Sequence, residues 1–370
     1  MNIVNLFTIY KNIQSKKIFL FLLQMLSLIY TLAVKLRLIA YRTGFFETDA
    51  LPAYVISVGN LTTGGTGKTP FVVMLAKFAS RNGIRTAVLS RGYKRRKSHR
   101  FLIVSDGTKT LVSSEESGDE AFLLAKKLDS VPVLVSKKRS RIGFLALKLF
   151  NSQLLLLDDG YQHLSIKRDL NILLIDSLRQ FGNNSLLPAG PLREPIKEIR
   201  RADIIVLTKC KDIHSTHGFS SYLQERHPEI PILRADHSPE KVWLPLKNKS
   251  YTPQFLSGKR IVAFAGLASP EDFFIMIEDL GGIIVHSRSF PDHKYYNKRE
   301  IKELANLKEL LNADFLLTTE KDWARIDGKT GYDDTLAILT IKIRLLPGQE
   351  REKKKLFCVI KEGIVKSKRS

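Results

Sequence analysis

Gly64-Gly65-Thr66-Gly67-Lys68-Thr69 sets three glycines, a lysine and a hydroxyl in the arrangement of a loop that wraps phosphate. Glycines let backbone N–H groups turn toward an anion at the start of a helix. Lys68 would reach the β- and γ-phosphate oxygens, and Thr69 would be a ligand for Mg²⁺. The full pattern G-x-x-x-x-G-K-[ST] asks for glycine where Thr62 stands, so Thr62 and Thr63 complete the expected nucleotide-binding set. The plain alternative is a glycine-rich turn that binds nothing. An apolar strand leading in and a helix leading out favour the phosphate loop.

A second strand ends in carboxylates, Leu154-Leu155-Leu156-Leu157-Asp158-Asp159. A strand-end aspartate in the same sheet as a phosphate loop holds Mg²⁺ directly or through water. The alternative for Asp159 is a turn residue ahead of Gly160. Thr208-Lys209-Cys210-Lys211-Asp212 comes close to the guanine-reading [NT]-K-x-D, with its aspartate one residue late. Lys209 either packs on a base or is a solvated lysine. Partitioning-type ATPases need a lysine where this chain has Thr63. The run Arg91-Gly92-Tyr93-Lys94-Arg95-Arg96-Lys97 follows a strand end, where it binds acceptor phosphate or lipid headgroups, or is a solvated loop. Few aromatics interleave these cations, which disfavours nucleic acid as a partner.

These residues need a sheet to hold them. From Pro52 onward short apolar runs alternate with helical segments, the mark of a mostly parallel sheet covered on both faces. Strands are expected at 54–58, 86–89, 101–104, 132–135, 154–157, 172–175 and 204–207, and helices at 70–80, 119–129 and 141–150. Ligands of such sheets sit at the carboxyl ends of the strands. The reading gives a P-loop core over residues 46–235, a proline-containing linker over 236–258, a smaller α/β domain over 259–345, and a basic tail or helix over 346–370.

Residues 1–45 form the remaining piece. Ile18 to Val34 is almost wholly apolar, with Lys16 and Lys17 before it and Lys35, Arg37 and Arg42 after it. That pattern suits a helix lying in a membrane interface. A true span and a buried core helix are the alternatives, and the run is slightly short of the ~20 residues a span usually takes. The chain's 59 Lys and Arg against 37 Asp and Glu give +22, which calls for an anionic partner. Its two cysteines fit no metal or C-x-x-C spacing and read as free thiols.

Taken together the motifs resemble the tetraacyldisaccharide 4′-kinase family, the lipid A 4′-kinases. The matching pieces are Val58-Gly59-Asn60 with the phosphate loop, Ser90-Arg91-Gly92-Tyr93, Gly118-Asp119-Glu120, and Asp158 through His163. They continue with Leu187-Pro188-Ala189-Gly190-Pro191-Leu192-Arg193-Glu194-Pro195, Phe290-Pro291-Asp292-His293, and Thr318 through Asp322. Tyr161 stands where the family pattern has Phe.

The resemblance implies a P-loop domain joined by a short β linker to a smaller α/β domain, and a kinase that uses Mg-ATP to phosphorylate the 4′-hydroxyl of a tetraacylated glucosamine disaccharide 1-phosphate. The product is lipid IVA, made at the cytoplasmic face of the bacterial inner membrane. It further implies Asp119 as catalytic base with His293 as its partner, and Lys68 and Arg139 as charge stabilisers. Thr69, Asp158, Asp159 and Glu194 are implied at the metal, and Tyr93 and Arg193 at the lipid substrate. Read by itself, Asp119 at a helix start reads first as a plain N-cap. The competing functional class is a membrane-anchored P-loop NTPase switch or assembly factor with no small-molecule acceptor.

Overall fold

The computed structural model describes residues 3–93, 95, 100–326 and 332–367, with side chains from Phe19 to Lys366. Lys94, Arg96 and Lys97 of the basic run lie outside the described residues.

Helix α1 (Ile3–Arg42) runs unbroken because no glycine or proline interrupts it. Its stretch from Phe19 to Arg42 is long and apolar enough to cross a bilayer, and only 11% of that apolar window is buried. The core-helix alternative therefore fails. Phe19, Phe21, Leu28, Ile29 and Leu32 are all more than half exposed.

Chain order continues with β1 (Tyr54–Gly59), α2 (Lys68–Arg81), β2 (Thr86–Ser90), β3 (Leu102–Ser105), α3 (Ser114–Ser117) and α4 (Asp119–Lys127). Then come β4 (Val133–Val135), α5 (Arg139–Phe150), β5 (Leu154–Asp158), β6 (Leu170–Asp176), β7 (Ile204–Thr208) and α6 (His217–Arg226). The strands lie in the order β3-β4-β2-β5-β1-β6-β7, parallel except for β3. Strands β1, β2, β5 and β7 are buried at every residue, which explains their unbroken apolar runs. Val58, Phe71 and Leu156 pack on one face of this sheet; Leu89, Ile142 and Leu157 pack on the other.

The stretch read as a linker is largely strand. β8 (Ile232–Leu244) pairs parallel with β7 at its start, and β9 (Lys249–Tyr251) folds back on its end. Pro239, which argued for irregular structure, sits at a register shift where the ladder loses nothing by lacking its N–H.

The smaller unit contains β10 (Arg260–Ala265), α7 (Pro270–Asp279), β11 (Ile283–Ser289), α8 (Lys298–Leu310), β12 (Phe315–Thr319), α9 (Glu320–Ala324) and β13 (Leu336–Leu345). β13 is antiparallel to β8, so two strands join the units into one continuous sheet. The tail is α10 (Glu350–Ser367), and it returns to the first unit, where Leu356, Ile360 and Ile364 enter the core beside Tyr54 and Phe71.

Candidate active site

The phosphate loop leaves β1 between its neighbours β5 and β6, at the carboxyl edge of the sheet. Gly67 has φ +79°, and a Cβ there would lie 2.4 Å from His237 Nε2, so glycine is required twice over. Thr66 is tied down from outside, its carbonyl accepting a hydrogen bond from Thr208 Oγ1 at 3.1 Å. Thr62 is buried, and its carbonyl accepts from Asn60 Nδ2 at 2.6 Å. Thr63 donates its N–H to Pro191 at 2.8 Å. Lys68 donates to Asn60 Oδ1 at 3.1 Å and lies 3.3 Å from Asp159 Oδ1.

The two aspartates at the end of β5, Asp158 in the strand and Asp159 just past it, have unlike surroundings. Asp159 adopts a left-handed φ of 51° and is held by cations. Arg193 Nη1 donates to both its carboxylate oxygens at 3.0 Å, and Arg139 Nη1 donates to its backbone carbonyl at 3.1 Å. Burial alone would raise its pKa, but Lys68, Arg193 and Arg139 hold it well below the usual carboxylate range. Asp158 is fully buried, and neither carboxylate oxygen has a hydrogen-bond partner. Burial, then Glu120 and Asp159, push its pKa up. Two orphaned buried oxygens beside a phosphate loop fit a divalent cation. Among the described residues no cluster of three or more His, Cys, Asp or Glu could hold a metal by itself.

Glu194, expected near the metal, is buried against Arg201, with Gln162 Nε2 at 3.5 Å and Arg37 at 4.0 Å. Arg193, expected at substrate, spends its Nη1 on Asp159.

The smaller unit supplies the other side. Asp119 opens α4 but is not its N-cap; Gly118 is, because a Cβ there would fall 2.6 Å from the Tyr93 carbonyl. The Asp119 carboxylate points across the boundary, and its Oδ2 lies 3.1 Å from His293 Nδ1. His293 holds a left-handed φ of 65°, and its ring meets the Tyr93 ring edge-on at 5.5 Å. A residue the sequence reading missed completes this group: Arg325 donates from Nε to Asp119 Oδ2 at 2.7 Å. The motif Thr318 through Asp322 ends three residues short of it, and a lone arginine beside Trp323 and Ala324 was the available signal.

The phosphate loop, Asp159, Arg193, Glu194 and His293 line a cleft of about 1040 Å³ that both units share, with Asp119, Asp158 and Arg325 buried behind its wall. Its wall runs from the phosphate loop past Tyr93, Arg139 and His293 to Tyr30, Val34 and Arg37 of α1. The helix is docked there by Ser27 Oγ donating to the Leu186 carbonyl at 2.9 Å, Tyr30 OH to that of Arg193 at 3.0 Å, and Arg42 to Glu198 at 2.7 Å. Asp212 takes no part, since its carboxylate caps a turn by accepting from the backbone of His214 and Ser215 at 2.7 Å. Lys209 bridges Asp176 and Asp272 at 2.9 and 2.7 Å, joining the two units.

Fold and site together define a P-loop nucleotide-binding enzyme whose cleft extends to an apolar helix. The sequence profile of the LpxK family, tetraacyldisaccharide-1-P 4′-kinase, matches residues 19–360, and the chain belongs to that family of kinases. The tetraacyldisaccharide 4′-kinase of Pelobacter propionicus is 41% identical over 82% of this chain and 82% of its own. That of Syntrophus aciditrophicus is 38% identical over 90% and 91%. Among solved structures, LpxK from Aquifex aeolicus in complex with ATP superposes with a TM-score of 0.70 at 34% identity, covering 91% of this chain and 98% of that one.

Proposed function

We propose that this chain transfers the γ-phosphoryl group of ATP to the 4′-hydroxyl of a tetraacyldisaccharide 1-phosphate, forming lipid IVA in lipid A biosynthesis. The observation that carries the reading is the cleft: one continuous wall joins the phosphate loop, His293 with Asp119 hydrogen-bonded behind it, and the apolar helix. A nucleotide held at Gly64–Thr69 and a sugar held near His293 would face each other across it.

The backbone N–H groups of the loop and Lys68 cradle the phosphates. Thr69 and Asp158 would hold Mg²⁺, which neutralises charge on the β- and γ-phosphates when bound. Asp159 keeps Lys68 aimed along the phosphate loop, and Glu194 steadies the metal side of the cleft through Arg201 and Gln162. The hydroxyl oxygen forms a bond to the γ-phosphorus as the bond to the β–γ bridging oxygen breaks; ADP leaves, and the hydroxyl proton passes to the Asp119–His293 pair. Arg139 adds positive charge beside the transferred group, and Tyr93 and Arg193 border the sugar. Closure of the smaller unit excludes water and limits wasteful hydrolysis.

The acceptor's chains explain α1. Drawing a lipid into water costs ~0.8 kcal/mol per CH₂, so the enzyme works where the lipid is. The apolar helix and the +22 charge favour the cytoplasmic face of an anionic inner membrane. The test is incubation of detergent-solubilised protein with γ-labelled ATP, Mg²⁺ and the disaccharide lipid. Label should move into the lipid phase. Label released only as inorganic phosphate, with a nucleotide-dependent protein partner, would favour the switch reading instead.

A further inference from the structure

Arg325 is wholly buried at the boundary between the two units, in contact with Asp119 of one and Gly266 of the other. Its Nε and Nη2 both reach Asp119 Oδ2, at 2.7 and 2.5 Å. Its Nη1 donates to the Gly266 carbonyl at 2.7 Å and lies 3.5 Å from Asp322 Oδ1. Asp322 is fixed in turn by the Gly266 N–H, the Tyr296 hydroxyl and the Thr319 hydroxyl, at 3.0, 2.9 and 2.7 Å. The guanidinium is thus anchored at one end in the smaller unit and presents its other end to a carboxylate of the first. A buried fork of this kind is strong and directional. Removing its cation would leave Asp119 buried with only an imidazole beside it.

The same boundary carries two further pairs. Lys321 of α9 lies 3.6 Å from Glu120, and Lys127 of α4 lies 2.6 Å from Glu320. These are partly exposed and screened; the Arg325–Asp119 pair is not. Arg325 also sits 3.3 Å from His293 Nδ1, so one guanidinium borders both members of the pair. His293 and Asp292 line the cleft, while Asp119 and Arg325 stand behind them.

We infer that Arg325 is a positioning residue for phosphoryl transfer: it keeps the Asp119 carboxylate ionised and in one rotamer against His293, and does so only while the two units are in contact. The inference rests on the proposed role of Asp119 and His293 in taking the hydroxyl proton. Docking of the smaller unit then does two things at once. It brings His293 to the cleft and supplies the cation that Asp119 needs to remain charged. An enzyme with its units apart has neither, so the proton acceptor is assembled only when water is shut out. The charge state of Asp119 supports this: burial works to protonate it, and the His293 hydrogen bond and Arg325 hold it well below the usual carboxylate range. The titratable and charged groups around it are His293, Arg325, Glu120, Asp292, Asp322 and Lys321.

The experiment is a double-mutant cycle on kcat with the lipid acceptor, using Asp119→Asn, Arg325→Gln and the double variant, each over a pH series. Arg325→Gln should lower kcat by about 100-fold, the lower range for loss of a positioned acid or base, with KM for ATP within about twofold. Its acid limb should move to higher pH, because Asp119 loses the cation that kept it ionised. In the Asp119→Asn background, loss of Arg325 should change kcat by less than about threefold, since a residue acting through Asp119 has nothing left to act on. Arg325→Lys, which keeps the charge but not the fork, should recover part of the rate. It replaces Arg325→Gln in the cycle if that variant does not fold. Multiplicative losses, or an acid limb that stays in place, would overturn the inference. Absence of lipid phosphorylation by the unmodified protein would instead strike the reaction itself, and the two failures are distinguishable.

Discussion

Lys68 Nζ lies 3.3 Å from Asp159 Oδ1, so the lysine of the phosphate loop is paired with a carboxylate just past the end of the neighbouring strand β5. The carboxylate it rests on is also held by Arg193. Nucleotide phosphates can take Lys68 over while Arg193 continues to neutralise Asp159. Lys68→Ala should therefore reduce transfer by about 100-fold or more, the cost typical of losing one preorganised donor to the transition state. Steady-state kinetics checks this, and a KM-only effect would contradict it.

Asp158 yields a prediction of opposite signs. Its carboxylate is buried with no hydrogen-bond partner, a costly state in the absence of a cation. Asp158→Asn should abolish Mg²⁺ activation, while the metal-free protein melts at the same temperature or higher. Calorimetry with and without Mg²⁺ separates the two effects.

Gly67→Ala asks alanine to adopt φ +79° and to place its Cβ 2.4 Å from His237 Nε2. The left-handed backbone alone costs about 1–2 kcal/mol. Nucleotide binding should be lost, and adding His237→Ala should restore part of the thermal stability but not the affinity. Isothermal titration and thermal melts read both.

Acid should weaken the fold before it protonates many carboxylates. Burial, and then nearby cations led by Arg139, lower the His163 pKa to about 3; burial, then Lys209, lowers that of His237 to about 4. The unfolded chain binds these protons near pH 6.5 while the native protein does not. Stability is thus full above about pH 6.5 and falls progressively as the pH drops toward about 4. Melting temperatures from pH 8 to pH 4.5 check it. His163→Gln should flatten the slope.

The exposed face of α1 should govern membrane attachment. Changing Leu28, Ile29 and Leu32 together to Ser removes three large apolar side chains that touch solvent. Each buries about 1.5–3 kcal/mol of transfer free energy when covered. Flotation with anionic vesicles should show loss of binding, and hydrolysis of ATP without lipid should stay unchanged.

Much of this site is local in the chain and was legible there. Gly64–Thr69 and Asp158-Asp159 announce themselves because the loop and the strand end each need particular residues in a row. The apolar run after Lys17 marks a helix whatever its partner. Asp119 and His293 were reached through family motifs, since nothing in their spacing brings residues 174 positions apart into contact. Arg325 escaped because its partner is 206 residues away and its own neighbours look like ordinary core. β8 was legible only through the resemblance, which implies a β linker. Read from the residues, Pro239 argues for loop, and only pairing with the distant β13 shows where a strand tolerates the missing N–H.

The most direct measurement is the position of the new phosphate. Phosphorus–proton correlation NMR of the purified lipid product should show two phosphorus signals, one coupled to the anomeric proton and a new one coupled to the proton at carbon 4′. A new phosphate at any other carbon, or a product with the single original signal, would contradict the account.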